Sequence, residues 1–316
     1  MDLPASDHFT IHEVAPGVHA LVVKPGGTAV GNSAVVDLGD RTLVVDTFET
    51  LEAADDLLAV TEALTGRRAA IVVNTHWHDD HTNGNQLFAG AEIVATPRTV
   101  ELIAANIPAD LDSLAAEIED YLQESRRGLA EATSDEERAG AERSVRAATV
   151  LLRDLPRFRL TLPNRMIEDR LLVAGSGRSA AILTFGGGHT ESDTFVHLPE
   201  DNLVIAGDLL FVGRHPWVAS GDPGAWAAIL DRMAGLGAAT VVPGHGPVGG
   251  PGDLAALAGY LRAIAATVKE SVAGGVDDKT LATLPVPGGS EDWEGQYLYA
   301  GSLNALVSRH PISPSP

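Results

Sequence analysis

The chain contains no cysteine. Disulfides, thiolate metal sites and cysteine nucleophiles are therefore excluded. Basic residues are scarce: 22 Lys and Arg stand against 43 Asp and Glu, a formal net charge of −21. A polyanionic backbone would meet a repulsive field, which argues against nucleic acid as a substrate. Long hydrophobic runs are missing as well. No apolar segment approaches the roughly 20 residues needed to span a bilayer, so no membrane partner is expected. Met1 to Thr10 lacks a basic stretch followed by an apolar run. A signal peptide is accordingly not expected, and a cytoplasmic location is the default expectation.

What is present suits a packed protein. Of 316 residues, 45% are hydrophobic and 21% charged, enough apolar side chains for a real core. The length fits one large α/β domain over 1–316. Val18–Lys24, Ser33–Asp37 and Thr42–Asp46 read as Val-rich strands, and Glu49–Leu64 as a helix stopped by Gly66. Ala70–Asn74 is nearly all apolar, the pattern of a strand buried on both faces. Glu92–Ala95 is a further strand, and Pro97–Ala105 a helix with proline in its first turn.

The texture changes between 109 and 155. Leu111, Leu114, Ile118 and Leu122 recur at helical spacing, as do Val145, Ala148, Leu152 and Leu155, with a turn at Thr133–Glu136 between them. The spacing predicts an inserted helical hairpin whose apolar positions pack and whose charges face solvent. It is a candidate lid or homodimer contact. Strands resume at Arg170–Val173, Ala180–Thr184, Thr194–Leu198, Asn202–Ala206 and Thr240–Val242. Helices are expected over Pro223–Met233 and Gly252–Val272, and again over Glu291–Ser308, so that 252–316 forms a helical segment on the core. Two such halves suit two stacked sheets with helices outside.

The chemistry concentrates in His76-Trp77-His78-Asp79-Asp80-His81, directly after a buried strand. Strand ends of α/β sheets are where ligand sites gather. Alternate residues His76 and His78 point one way, and Asp80 and His81 face an adjacent position. Neutral imidazole suits zinc, and carboxylate extends the choice to iron or manganese. A hydrated His/Asp loop is the alternative for this run alone. Three further residues sit beside glycine at strand ends: His189 after Gly186-Gly187-Gly188, Asp208 after Gly207, and His245 in Pro243-Gly244-His245-Gly246.

These motifs resemble the metallo-β-lactamase-fold superfamily. His76, His78, Asp80 and His81 match its His-x-His-x-Asp-His pattern, and His189, Asp208 and His245 follow in the right order. The resemblance covers about Val18 to Val248, interrupted by the insert. It implies a four-layer αββα sandwich with the site at one edge. It further implies that His76, His78 and His189 hold one divalent metal, that Asp80, His81 and His245 hold a second, and that Asp208 bridges them. A hydroxide between the two ions, zinc in the first instance, would be the nucleophile, with Asp80 orienting it.

Departures narrow the field. Without cysteine, cysteine-type lactamases are disfavoured. Flavodiiron proteins carry glutamate where this chain has His78. One group of lactonases has a tyrosine three residues after the bridging Asp, where this chain has Phe211. Hydrolysis of a small ester, thioester or lactone is the expectation, with a β-lactam amide behind it. The alternative is an oxidoreductase resembling persulfide dioxygenases, with a single iron. Asp79 and Trp77 are expected behind the ligands or facing solvent. Arg214, His215 and Trp217 are rim candidates. Trp293, Tyr297 and Tyr299 are expected to pack the last helix. His8, His12, His19, His197 and His310 lack ligand spacing.

Overall fold

The computed structural model describes residues 3–108 and 110–309; Ala109 and His310 lie outside them. The first sheet takes its strands in chain order: β1 (Phe9–Ala15), β2 (Val18–Val23), β3 (Ser33–Asp37), β4 (Thr42–Val45), β5 (Ile71–Val73), β6 (Glu92–Ala95) and β7 (Arg165–Met166). Pairing is antiparallel from β1 to β4 and parallel from β4 to β7. The parallel steps need crossovers. One is α1 (Leu51–Thr65), capped by the Thr50 side chain at its start and by Gly66 in the left-handed conformation at its end. The others carry α2 (Asp79–Thr82) and α3 (Pro97–Asn106), then the hairpin of α4 (Leu111–Glu131) and α5 (Asp135–Asp154).

The second sheet has β8 (Arg170–Ala174), β9 (Ser179–Gly186), β10 (Asp193–Leu198), β11 (Leu203–Phe211) and β12 (Thr240–His245), side by side. All its pairs are antiparallel except β11 with β12. The remaining helices are α6 (Pro223–Ala234), α7 (Pro251–Gly274), α8 (Asp278–Leu281) and α9 (Tyr297–Ser308).

Period-2 alternation builds the layers. On β3 to β5, Ala34, Val36, Leu43, Val45, Ile71 and Val73 face the second sheet, meeting Ile182, Val196, Leu203 and Ile205. Their neighbours Val35, Val44 and Val72 point the other way, onto Ala53, Leu57 and Val60 of α1. On the far side, Phe195, Val204 and Val241 pack under α6, α7 and α9. Three apolar layers thus separate helix, sheet, sheet and helix: an αββα sandwich.

Four local features differ from the sequence expectation. β1 is an edge strand whose Thr10 and Glu13 are exposed, so its apolar signal is diluted. β7 has only two residues, too few for any pattern. β11 continues beyond Ala206 to Phe211, through a register irregularity at Gly207. The last helix starts at Tyr297 and not at Glu291, because Gly295 takes a left-handed φ of 80°. The insert turn does begin a helix: Ser134 and Glu137 form a reciprocal capping box. On α4, however, only Leu122 and Ser125 are buried; Leu114 and Ile118 are half-buried beside a cleft. Among the described residues no helix is long and apolar enough to cross a membrane.

Candidate metal centre

All seven candidate ligands meet at the sheet edges. His76 follows β5 in the turn leading to α2, and His78 is the residue that precedes α2's first turn. Asp80 and His81 lie on α2 itself. From the second sheet come His189, in the loop after β9, Asp208 within β11, and His245 at the end of β12. One ligand atom each from His76, His78, His189 and Asp208 lie within 4.8 Å of one another, and so do those of Asp80, His81 and His245.

Asp208 faces both groups. Its Oδ2 is 3.2 Å from His189 Nε2 and 3.8 Å from His76 Nε2, while its Oδ1 is 3.1 Å from His81 Nε2. His245 Nε2 lies 3.1 Å from Asp208 Oδ2 and 3.4 Å from Asp80 Oδ2. Two glycines make this approach possible. A Cβ on Gly244 would stand 1.9 Å from Asp208 Oδ1, and one on Gly207, which has a φ of 54°, would stand 2.6 Å from Thr75.

The protein by itself leaves this cluster unsatisfied. His76 Nε2, His81 Nε2 and Asp208 Oδ1 are buried without a hydrogen-bond partner. Buried polar atoms are ordinarily paired, and three orphaned donor atoms converging on one space fit a cation. Protonation fits too. Burial pushes His76 well below the ordinary imidazole range and His189 down to about 3, so both present bare nitrogens. Burial also lowers His81, but the Asp80, Asp208 and Asp46 carboxylates outweigh it and hold that imidazole well above its usual value.

Residues behind the cluster fix these rings. Asp46, buried at the end of β4, accepts from the Thr75 amide at 2.8 Å, from Thr75 Oγ1 at 2.8 Å and from His81 Nδ1 at 2.8 Å. With its proton given to Asp46, Thr75 Oγ1 is left to accept from His76 Nδ1 at 3.0 Å. Once His81 gives up its second proton to an incoming ion, one carboxylate thus sets both tautomers so that both Nε2 lone pairs face inward. On the other side, His78 Nε2 meets Ser220 Oγ at 3.2 Å. Asp193 ties the His189 loop down by accepting from the Gly188 and Thr190 amides and from Thr190 Oγ1.

Asp46, Asp193 and Ser220 had no place in the sequence reading. Asp46 stood there only as the last residue of a strand. The one available signal was a carboxylate closing an otherwise apolar strand, and in the structure that residue carries a φ of 61°.

The secondary candidates separate cleanly. Asp79 and Trp77 line the cleft above the cluster, the former exposed and the latter half-buried. Trp217 is exposed at the rim. Arg214 lines the cleft and pairs with Glu294 at 3.3 Å. His215 is buried, with Nδ1 2.8 Å from the Tyr260 hydroxyl. Tyr299 and Trp293 join that aromatic group, whereas Tyr297 is exposed and lines the cleft. Phe211 stacks on His245 with ring centroids 4.8 Å apart. His8, His12, His19 and His197 join no metal-competent group among the described residues.

A family model described as the metallo-beta-lactamase superfamily matches residues 26–245. The chain belongs to that superfamily. A metallo-beta-lactamase from Pontibacter korlensis shares the fold, with a TM-score of 0.59 and 19% identity over 80% of this chain and 99% of that one. A linear primary-alkylsulfatase from a Pseudomonas species is 24% identical over 225 residues, 68% of this chain and 42% of that protein. A metallo-beta-lactamase type 2 from Bacteroides fragilis is 31% identical over 99 residues, 29% of this chain and 39% of that one. An atrochrysone carboxyl ACP thioesterase from Paecilomyces divaricatus is 35% identical over 77 residues, 23% of this chain and 24% of that one. The chain therefore spans less than half the length of each of these three relatives. Their names describe hydrolases, and the superfamily consists mostly of metallo-hydrolases; this chain carries a His/Asp cluster that could hold metal.

Proposed function

We propose that the protein is a metallo-hydrolase that holds two divalent ions and cleaves a small ester, thioester or lactone. The observation that carries this reading is the position of Asp208, with one carboxylate oxygen toward His81 and the other toward His189. A carboxylate shared by two ligand groups suits a pair of cations; a structural zinc closed by four ligands has no use for it. His76, His78 and His189 would hold one ion, Asp80, His81 and His245 the other. Zinc suits the imidazole-rich set, and iron or manganese are compatible with its carboxylates. When bound, such ions polarise a carbonyl and lower the pKa of water to near neutrality.

The chain supplies the rest. Asp80, whose Oδ2 lies 3.3 Å from His81 Nε2, would orient a water at the centre as well as bind metal. Asp46 and Thr75 keep His81 and His76 in the ligating tautomer, so the site is organised before substrate arrives. Phe211 covers His245 with an apolar ring and offers no hydroxyl to a substrate. The relatives support hydrolysis in general and span different leaving groups. A β-lactam amide stays behind esters, thioesters and lactones, since the chain has no cysteine ligand.

Elemental analysis of the purified protein, together with a panel of thioesters, lactones, esters, sulfate esters, phosphodiesters and β-lactams, tests the reading. Two metal equivalents and hydrolysis of a carboxylic ester, thioester or lactone are expected. A single iron with sulfite production from a persulfide would replace the hydrolase reading with a dioxygenase.

A further inference from the structure

The hairpin presents an apolar stripe that the fold does not use. Leu114, Ile118 and Tyr121 recur at i, i+4 and i+7 on α4, which places them on one face. In a helix that packs on a core this stripe is buried. Here Leu114 and Ile118 are half-buried and Tyr121 is 44% exposed. All three line a cleft of about 1140 Å³ whose wall also includes His78, His189, Asp208 and His245. Leu151 of α5 and Phe158 continue the apolar lining, and Trp217 and Tyr297 join it from the C-terminal half. The hairpin and α9 meet at this cleft, where a Cβ on Gly140 would stand 3.3 Å from the Tyr297 hydroxyl.

The charges bordering the stripe are unbalanced. Glu117 and Glu124, one helical turn apart from the stripe residues, also line the cleft, as does Asp79. Facing them are Arg143 of α5 and Arg214, and Arg214 is paired with Glu294. An anionic group along this wall would meet net negative potential, whereas a hydrocarbon chain would cover the stripe without penalty.

We infer that the cleft under the hairpin seats an uncharged apolar chain of the substrate, running from the metal centre along α4. This deepens the hydrolase reading and rests on it for the reacting bond. A second copy of the chain is the competing occupant. Continuity of the stripe with the candidate ligands in one cavity favours substrate instead.

Binding energy from a chain held equally well in the ground and transition states lowers KM and leaves kcat unchanged. Kinetics on 4-nitrophenyl acetate, butanoate and octanoate should therefore show KM falling with length. Full burial corresponds to roughly a fourfold gain per methylene, and at least about tenfold in kcat/KM is expected between acetate and octanoate. The half-ester of suberic acid, with a carboxylate at the end of the same chain, should lose that gain. Ile118→Asp and the exposed Tyr121→Glu should each pull the octanoate-to-acetate ratio towards one, a ratio read within a single variant.

Calorimetric binding of N-methyloctanamide, an inert uncharged amide, separates this idea from the hydrolase reading. If no ester is cleaved but the amide binds and Ile118→Asp abolishes binding, the chemistry is wrong and the cleft assignment stands. Ester cleavage with no length preference and no amide binding overturns the cleft assignment alone. Preference for the suberate half-ester overturns it too, in favour of Arg143 as an anion anchor. So does a change of oligomeric state in Ile118→Asp with the length preference intact.

Discussion

Asp46→Asn tests whether the site depends on a residue that touches no substrate. In the folded protein Asp46 Oδ2 accepts from both His81 Nδ1 and Thr75 Oγ1, and Oδ1 accepts from the Thr75 amide. Asparagine keeps one acceptor and turns the other oxygen into a donor. If the amide oxygen stays with Thr75 N–H, an NH2 group faces the His81 N–H and the Thr75 hydroxyl. Asp46 and His81 are both buried, so water cannot relieve the clash.

A buried donor left unsatisfied costs about 1–3 kcal/mol. The alternative is a switch of the His81 proton from Nδ1 to Nε2, which removes the lone pair that would hold metal. Either route weakens metal binding by about 10- to 100-fold, or about 1.4–2.8 kcal/mol. Competition against a chromophoric chelator, with thermal melts of the apo and metal-loaded protein, measures it. Thr75→Val, which conserves volume but removes the hydroxyl link to His76, should lose less, because the direct Asp46–His81 contact survives. The reasoning is refuted if Asp46→Asn binds metal within about twofold of wild type, a difference too small for any lost buried hydrogen bond.

Asp208→Ala should lose metal and turnover together, as read by elemental analysis and the ester assay; full activity in that variant would overturn the shared-carboxylate assignment. Gly244→Ala brings a methyl group to 1.9 Å from Asp208 Oδ1, so both metal content and Tm should fall, with a Tm unchanged from wild type counting against the geometry. The two ligand groups should also respond differently to pH. Without metal, His81 is held protonated by Asp80, Asp208 and Asp46 against the opposing effect of burial, while His76 and His189 are already neutral. The competing His81 proton is present below its raised pKa and lost as pH rises through it. Affinity at the Asp80/His81/His245 group should therefore climb about tenfold per pH unit as pH rises towards that raised pKa, while the other group stays flat. Stepwise metal titrations with equal slopes for both would contradict this. Replacing 110–154 by a short Gly/Ser linker should change selectivity among esters and spare metal content; unchanged kinetics on the best substrate would sink the lid role of the hairpin.

Much of this protein was legible in one dimension because its signals are local. A strand buried on both faces, such as Ile71–Val73, is read from three consecutive apolar residues. Gly66 marks a helix end because the left-handed conformation there suits glycine. The His76–His81 run draws notice because six residues hold five that can ligate metal. Where a signal was diluted or broken, local reading failed: the exposed polar residues of β1 hid an edge strand, and Gly295 interrupted the periodicity before Tyr297.

Tertiary structure alone decided what depends on contact between distant segments. Asp46 and His81 are 35 residues apart, and nothing near either one announces their hydrogen bond. Asp208 faces both ligand groups only because β11 lies between β12 and β10, with glycines at 207 and 244 clearing the way. The stripe on α4 is the plainest case. Leu114 and Ile118 carry the same helical period whether they enter a core or a cleft, because period records only that a face is apolar. What that face meets is fixed by the rest of the chain, and here it is the open space above the metal centre.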